Sequence, residues 1–182
     1  RMSIRPYSEL KKIMDKNIFL IGMPGAGKTF WGKKIATALH KDFFDLDFEI
    51  EKQEQQSILE IFRDDGEKFF REKESEVLRT FEQKQNLVLA TGGGTPCFFE
   101  NAEWMKKNGL TIWIDEPVSV LVQRLKTEKS QRPLIRGLGE NELSHFLKHQ
   151  LEERKPFFLK ADYQIQSPVN LVEDILNKIN NV

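Results

Sequence analysis

Apolar residues occur along this chain in short unbroken runs, separated by longer segments where they fall three and four positions apart. Ile18-Phe19-Leu20-Ile21, Leu87-Val88-Leu89-Ala90 and Leu110 to Ile114 are unbroken, the pattern of strands buried on both faces of a parallel sheet. Phe43 to Leu46 and Tyr163 to Gln166 predict two shorter strands. Helical spacing predicts an α-helix from Lys28 to about His40, with Ile35, Ala36 and Leu39 on its apolar face and Phe30 and Trp31 packed against the sheet. Further helices are expected over Glu67 to Lys84, Asn101 to Asn108, Val118 to Lys126 and Glu140 to Lys160. A last one opens at Ser167-Pro168 and carries Leu171, Val172, Ile175, Leu176 and Ile179. Ser57-Ile58-Leu59-Glu60 fits a capping box and Gly66 breaks the run, so residues 47–84 read as a helical insertion standing over the sheet. Strands alternating with helices imply a three-layer α/β/α fold on about five parallel strands, with ligands at their carboxyl ends.

The first strand runs into Gly22-Met23-Pro24-Gly25-Ala26-Gly27-Lys28-Thr29, which has the spacing G-x-x-x-x-G-K-[ST]. Small residues there let successive backbone N–H groups turn inward around a polyphosphate, and the following helix adds its positive end. Lys28 can reach the terminal phosphates as a mobile point charge, and the Thr29 hydroxyl suits the oxygen shell of Mg²⁺. Gly22, Gly25, Ala26, Gly27 and the neighbouring Phe30 complete the candidate nucleotide site. This pattern identifies the class as P-loop NTPase-like and leaves open what is done to the triphosphate.

Asp45 and Asp47 stand two apart at the end of the strand predicted from Phe43 to Leu46, so both are expected on one face. Asp47 can accept the proton of a substrate hydroxyl; the other reading is a helix N-cap. Asp45 can hold Mg²⁺ through a bound water, or stand as a solvated acid. Ala90 and Thr91 occupy the strand end where a metal-holding acid is conventional, so the metal falls to Thr29, the nucleotide phosphates and Asp45. Gly92-Gly93-Gly94 either admits a ligand close to the backbone and exposes N–H donors, or serves a tight turn at positive φ. Arg71, three residues before Glu74, can present its planar fork to a carboxylate or form an exposed ion pair. Residues 126–139, with Lys126, Lys129, Arg132, Pro133, Arg136, Gly137 and Gly139, have the composition of a basic, hinged lid. Arg132 can close over the β- and γ-phosphates and Arg124 can lie against adenine. Arg154 precedes Lys155-Pro156 near a helix end, where a surface cation is the alternative. His145 and His149 have the spacing of a metal pair without a third ligand and read as surface residues, while Cys97 reads as a buried small side chain.

At 182 residues the chain suits one domain, placed at 16–182, with residues 1–15 an extension to which no role is assigned. Lys plus Arg and Asp plus Glu both number 28, giving a formal net charge of zero and no general attraction to nucleic acid or anionic membrane. A lone cysteine rules out an internal disulfide. No apolar run approaches a membrane span and no apolar signal core is seen near residue 1, so the cytoplasm is the expected compartment.

Together these residues make the chain resemble the shikimate kinase family, small P-loop enzymes that phosphorylate shikimate with ATP in aromatic amino-acid biosynthesis. The resemblance runs from about Lys16 to the C-terminus. It rests on Gly22 to Thr29, Asp45-Leu46-Asp47, Asp65-Gly66-Glu67 leading into Phe70-Arg71 and Glu74, Gly92-Gly93-Gly94, Arg132-Pro133-Leu134, and Arg154 before Pro156. It implies that Asp47, Arg71, Gly93 and Arg154 hold shikimate, with both arginines on its carboxylate and Asp47 as the base. It also puts Thr29 on Mg²⁺, Lys28 and Arg132 on the transferring phosphate, and Arg124 near adenine, in a monomer whose partners are ATP and shikimate. Trp31, Lys33 and Ala90 depart from the residues usual in the family at those places. The alternatives are another small-metabolite P-loop kinase, for gluconate or a nucleoside monophosphate, and a nucleotide-dependent switch, which the absence of an N-K-x-D motif disfavours.

Overall fold

Five parallel strands form one sheet: β1 (Ile18–Ile21), β2 (Asp42–Asp45), β3 (Leu87–Ala90), β4 (Leu110–Asp115) and β5 (Tyr163–Gln166), in the order β2-β3-β1-β4-β5. The structure is a computed structural model and describes residues 15–127, 135, 137–167 and 173–175. Every residue of β1 and β3 is buried, and because alternate side chains point to opposite sides, both faces of the sheet are covered. The register sets Leu20 beside Ala90 and Ala90 beside Asp45, so β1, β2 and β3 end at one height.

Helix α1 (Lys28–Leu39) follows the glycine-rich loop and packs on β2 and β3. Trp31 and Ile35, one turn apart, are buried against the sheet. Phe30 was expected beside them but lies roughly 100° further round the helix and is 56% exposed. The strand expected to end at Leu46 ends at Asp45. Leu46 is fully buried as the first residue of α2 (Leu46–Glu54), and the Asp45 side chain accepts a hydrogen bond from the Asp47 backbone N–H at 3.2 Å. Asp45 is therefore the N-cap that turns strand into helix. Asp47 stands in the first helical turn, so the two acids flank a corner rather than share a strand face.

The capping box at Ser57 opens α3 (Ile58–Asp64), with Glu60 Oε2 accepting from the Ser57 N–H at 2.8 Å. Gly66, at φ +83°, starts α4 (Gly66–Arg79). That helix stops five residues short of Lys84, because successive turn hydrogen bonds take over while Phe81 keeps its buried place. Helices α5 (Asn101–Asn108), α6 (Val118–Leu125) and α7 (Glu140–Phe158) complete the layers. Of the last predicted helix, Glu173 to Ile175 are helical and Ile175 is buried; Leu171, Val172, Leu176 and Ile179 lie outside the described residues, as do 1–14 and most of the basic loop.

A β-carbon built on Gly32 of α1 would stand 2.5 Å from the Phe43 ring, so this helix approaches β2 as closely as the missing side chain permits. Gly32→Ala should therefore destabilise the protein by about 1–3 kcal/mol through overpacking, read as a lower midpoint in urea unfolding. A midpoint at or above that of the wild type would show that the ring moves aside without cost.

Candidate active site

The carboxyl edge of the sheet collects the chemistry because β1, β2 and β3 are parallel and end level. After β1 the chain turns through the phosphate loop. Gly25 and Gly27 adopt φ of +80° and +87°, the Ala26 N–H donates to Met23 O at 3.1 Å, and Gly27 caps α1. The Lys28 ammonium is buried and donates to Gly22 O and Met23 O, both at 2.9 Å, so it braces the loop from within. One residue on, Thr29 Oγ1 donates to Asp45 Oδ2 at 2.6 Å. These two hard oxygen donors meet beside the phosphate loop, the donor chemistry that Mg²⁺ takes alongside phosphates and water; the pairing fits that ion.

After β3, Thr91 donates its N–H and hydroxyl to Leu20 O, which pins Gly92-Gly93-Gly94 beside the phosphate loop. None of these three glycines has positive φ, so a tight-turn requirement does not account for them. Each instead makes room for a side chain. A β-carbon would lie 2.6 Å from Glu74 Oε1 and 3.2 Å from Asp47 Oδ1 at Gly92, 2.5 Å from Pro24 Cδ at Gly93, and 2.8 Å from Arg71 Nη2 at Gly94.

Arg71 is buried, not part of an exposed pair. It donates to Glu74 Oε2 at 2.9 Å and to Glu67 Oε1 at 3.1 Å, and its guanidinium lies over the rings of Phe70 and Phe98. Burial opposes its charge, but the Glu74 and Glu67 carboxylates outweigh burial and raise its pKa above the ordinary value. Glu74, with no exposed surface, also accepts from Thr95 Oγ1 at 2.5 Å. Arg154, on α7, is 9% exposed and donates to Gln150 Oε1. Burial lowers its pKa; Cys97 offsets part of this, the Arg71 charge lowers it further, and the more distant Glu67 and Glu74 carboxylates oppose the fall.

These groups surround one cavity of about 510 Å³, lined by Asp47, Arg71, Gly92, Gly93, Gly94 and Arg154, with Met23 and Pro24 of the phosphate loop at its border. Ile58, Leu59, Phe62, Phe70 and Phe146 supply an apolar wall, and Ile135, within the basic loop, is buried against it. Arg124 lies at the phosphate loop, donating to Gly25 O and to Glu116 Oε1, each at 3.0 Å. Arg132, Lys129 and Arg136 fall outside the described residues. Lys126 is ion-paired with Glu140 at 2.8 Å, and His149 faces Glu153.

Some of the site was not read from the sequence. Glu116 as the anchor of Arg124 and Thr95 as a partner of Glu74 follow from tertiary packing alone. Phe146, Gln150 and Arg154 do carry a signal, since their spacing of four places them on one face of α7.

A phosphate loop on a parallel sheet, opening on a cavity lined by the carboxylates of Asp47, Glu51 and Glu74 and two guanidinium groups, defines a P-loop kinase of small molecules. A family model described as shikimate kinase matches residues 24–181. A shikimate kinase from Bacteroides fragilis is 40% identical over 171 residues, 88% of this chain and 96% of that protein. The crystal structure of shikimate kinase from Bacteroides thetaiotaomicron has a TM-score of 0.81 at 37% identity, covering 90% of this chain and 96% of that one. The Acinetobacter baumannii shikimate kinase, solved in complex with shikimate, has a TM-score of 0.82 at 34% identity, covering 93% of both chains. This chain belongs to the shikimate kinase family.

Cys97 is half-buried near the two arginines, and burial pushes its thiol pKa up to about 11. At pH 8 only about one thiol in a thousand is then ionised. Alkylation by iodoacetamide in the native protein should run roughly two orders of magnitude slower than that of an unperturbed cysteine, and a rate equal to that of free cysteine would place the thiol in an ordinary aqueous setting.

Proposed function

We infer that the chain transfers the γ-phosphoryl group of ATP to the 3-hydroxyl of shikimate, giving shikimate 3-phosphate and ADP. The observation that carries this reading is the buried Arg154 beside Arg71 in a cavity bordered by the phosphate loop. A buried guanidinium that pairs with no carboxylate within 4.0 Å among the described residues calls for an anion. The carboxylate of shikimate supplies it, and its ring then meets the apolar wall.

In this mechanism Arg154 and Arg71 fix the substrate by its carboxylate, the planar forks setting orientation as well as position. Asp47 orients the attacking hydroxyl and takes its proton as the new P–O bond forms, while the leaving β-phosphate oxygen of ADP carries away the electron pair of the broken bond. The backbone N–H groups from Gly22 to Thr29 cradle the phosphates, Lys28 turns from the loop carbonyls to the β- and γ-phosphates, and Arg132 joins it on the migrating group. Arg124 lies at the adenine side. Thr29 and Asp45 would hold Mg²⁺, which, when bound, neutralises charge on the β- and γ-phosphates. Residues 126–139 serve as the lid that excludes water. A monomer working in the cytoplasm completes the reading; no described helix is long and apolar enough to cross a membrane.

An ADP-release assay with shikimate, gluconate and nucleoside monophosphates as acceptors should show turnover above the ATPase background with shikimate alone; no shikimate-dependent rate would overturn the reading. In the same assay Asp47→Asn should lower kcat by about two or more orders of magnitude, the usual worth of a positioned base. Near-normal turnover would reduce Asp47 to a helix-start residue. Arg154→Ala should raise the KM for shikimate while leaving ATP affinity without shikimate near that of the wild type, and an equal loss of ATP affinity would move Arg154 to the nucleotide side.

A further inference from the structure

The two arginines of the cavity are held in opposite ways. Arg71 donates to the carboxylates of Glu74 and Glu67, so its charge is compensated inside the protein. Arg154 donates to the Gln150 amide oxygen, and among the described residues no carboxylate oxygen lies within 4.0 Å of it. The Gln150 amide is itself oriented. Its Nε2 donates at 3.1 Å to Glu153 Oε2, an oxygen that also faces His149 Nδ1 at 3.4 Å. An amide has one accepting and one donating end; with the donating end fixed on exposed Glu153, the accepting end is turned inward to Arg154.

Gln150 and Arg154 are one helical turn apart on α7, and both line the cavity. The commonest acidic partner for an arginine at this spacing, a glutamate at position 150, would act as a permanent counter-ion and cancel the charge the cavity presents. Glutamine has the same length and leaves that charge intact.

We propose that Gln150, oriented by Glu153, is a positioning residue that aims Arg154 without neutralising it, and so gives the cavity its selectivity for an acceptor bearing a carboxylate. The proposal rests on the shikimate reading above. It treats Arg154 as the cation left for the ligand and Arg71 as a compensated donor of shape. Gln150 acts through Arg154 and touches no reacting atom.

Q150E provides the test, assayed with shikimate and with its neutral methyl ester. The KM for shikimate should rise about tenfold or more, the scale of one lost charge-assisted contact, and by a larger factor than kcat falls. The rate on the ester, however low, should change less than twofold, so discrimination between acid and ester collapses. Q150M keeps the length and removes the acceptor while adding no charge; its KM for shikimate should rise by a smaller factor than that of Q150E. A KM in Q150E within twofold of the wild type overturns the proposal, as does an equal loss in both variants, which would mean packing rather than charge. Should Q150E fail to fold, Q150M decides: a raised KM for shikimate with the ester rate unchanged supports the proposal, and an unchanged KM overturns it. A wild-type protein that does not use shikimate removes the parent reading and this proposal together, whereas an active wild type with unaltered variants removes this proposal alone.

Discussion

The buried carboxylate of Glu74 is the contact on which the site depends. It accepts from Arg71 on its own helix and from Thr95 beyond the glycine triplet, and it stands where a side chain on Gly92 would be. A charge with no exposed surface carries a desolvation cost of several kcal/mol and persists only when its hydrogen-bonding capacity is met. That requirement ties the helical insertion to the sheet edge, because neither half alone supplies both partners. The substrate side of the cavity is thereby held in register with the phosphate loop.

Electrostatics divides the cavity into compensated and uncompensated parts. Arg71 has carboxylate partners, and its neighbours Phe70 and Phe98 shield it from water; its contribution is directional. Arg154 has a neutral partner and a pKa lowered by burial. Asp47 lines the same cavity as these cations, so an acceptor with an anionic end and a hydroxyl end has a cation for the one and a hydrogen-bond acceptor for the other.

Much of this was legible from residues alone. The runs in β1, β3 and β4 read as buried parallel strands because they alternate nothing, and the glycine-lysine-threonine spacing fixed the loop between β1 and α1. The corner at Asp45 was misread because Leu46 extended an apolar run; nothing local distinguishes a leucine that finishes a strand from one that docks a helix. Phe30 was misassigned for a related reason: two adjacent aromatic residues cannot share a helix face, and only packing decides which one is buried. The burial of Arg71 was invisible because an arginine and a glutamate three apart look the same on a solvated helix. Glu116, eight residues from Arg124, fell outside any short-range pattern.

The glycine triplet was legible as three small residues, although the reason for them was not. Their missing β-carbons are filled by the Pro24 ring, the Arg71 guanidinium and the Glu74 carboxylate. This wall of the cavity is consequently main chain, and a larger residue there has to displace a rigid ring or one half of the buried ion pair. An inhibitor leaning on it would meet bare main chain, where a resistant side chain at Gly93 has the rigid Pro24 ring in its way.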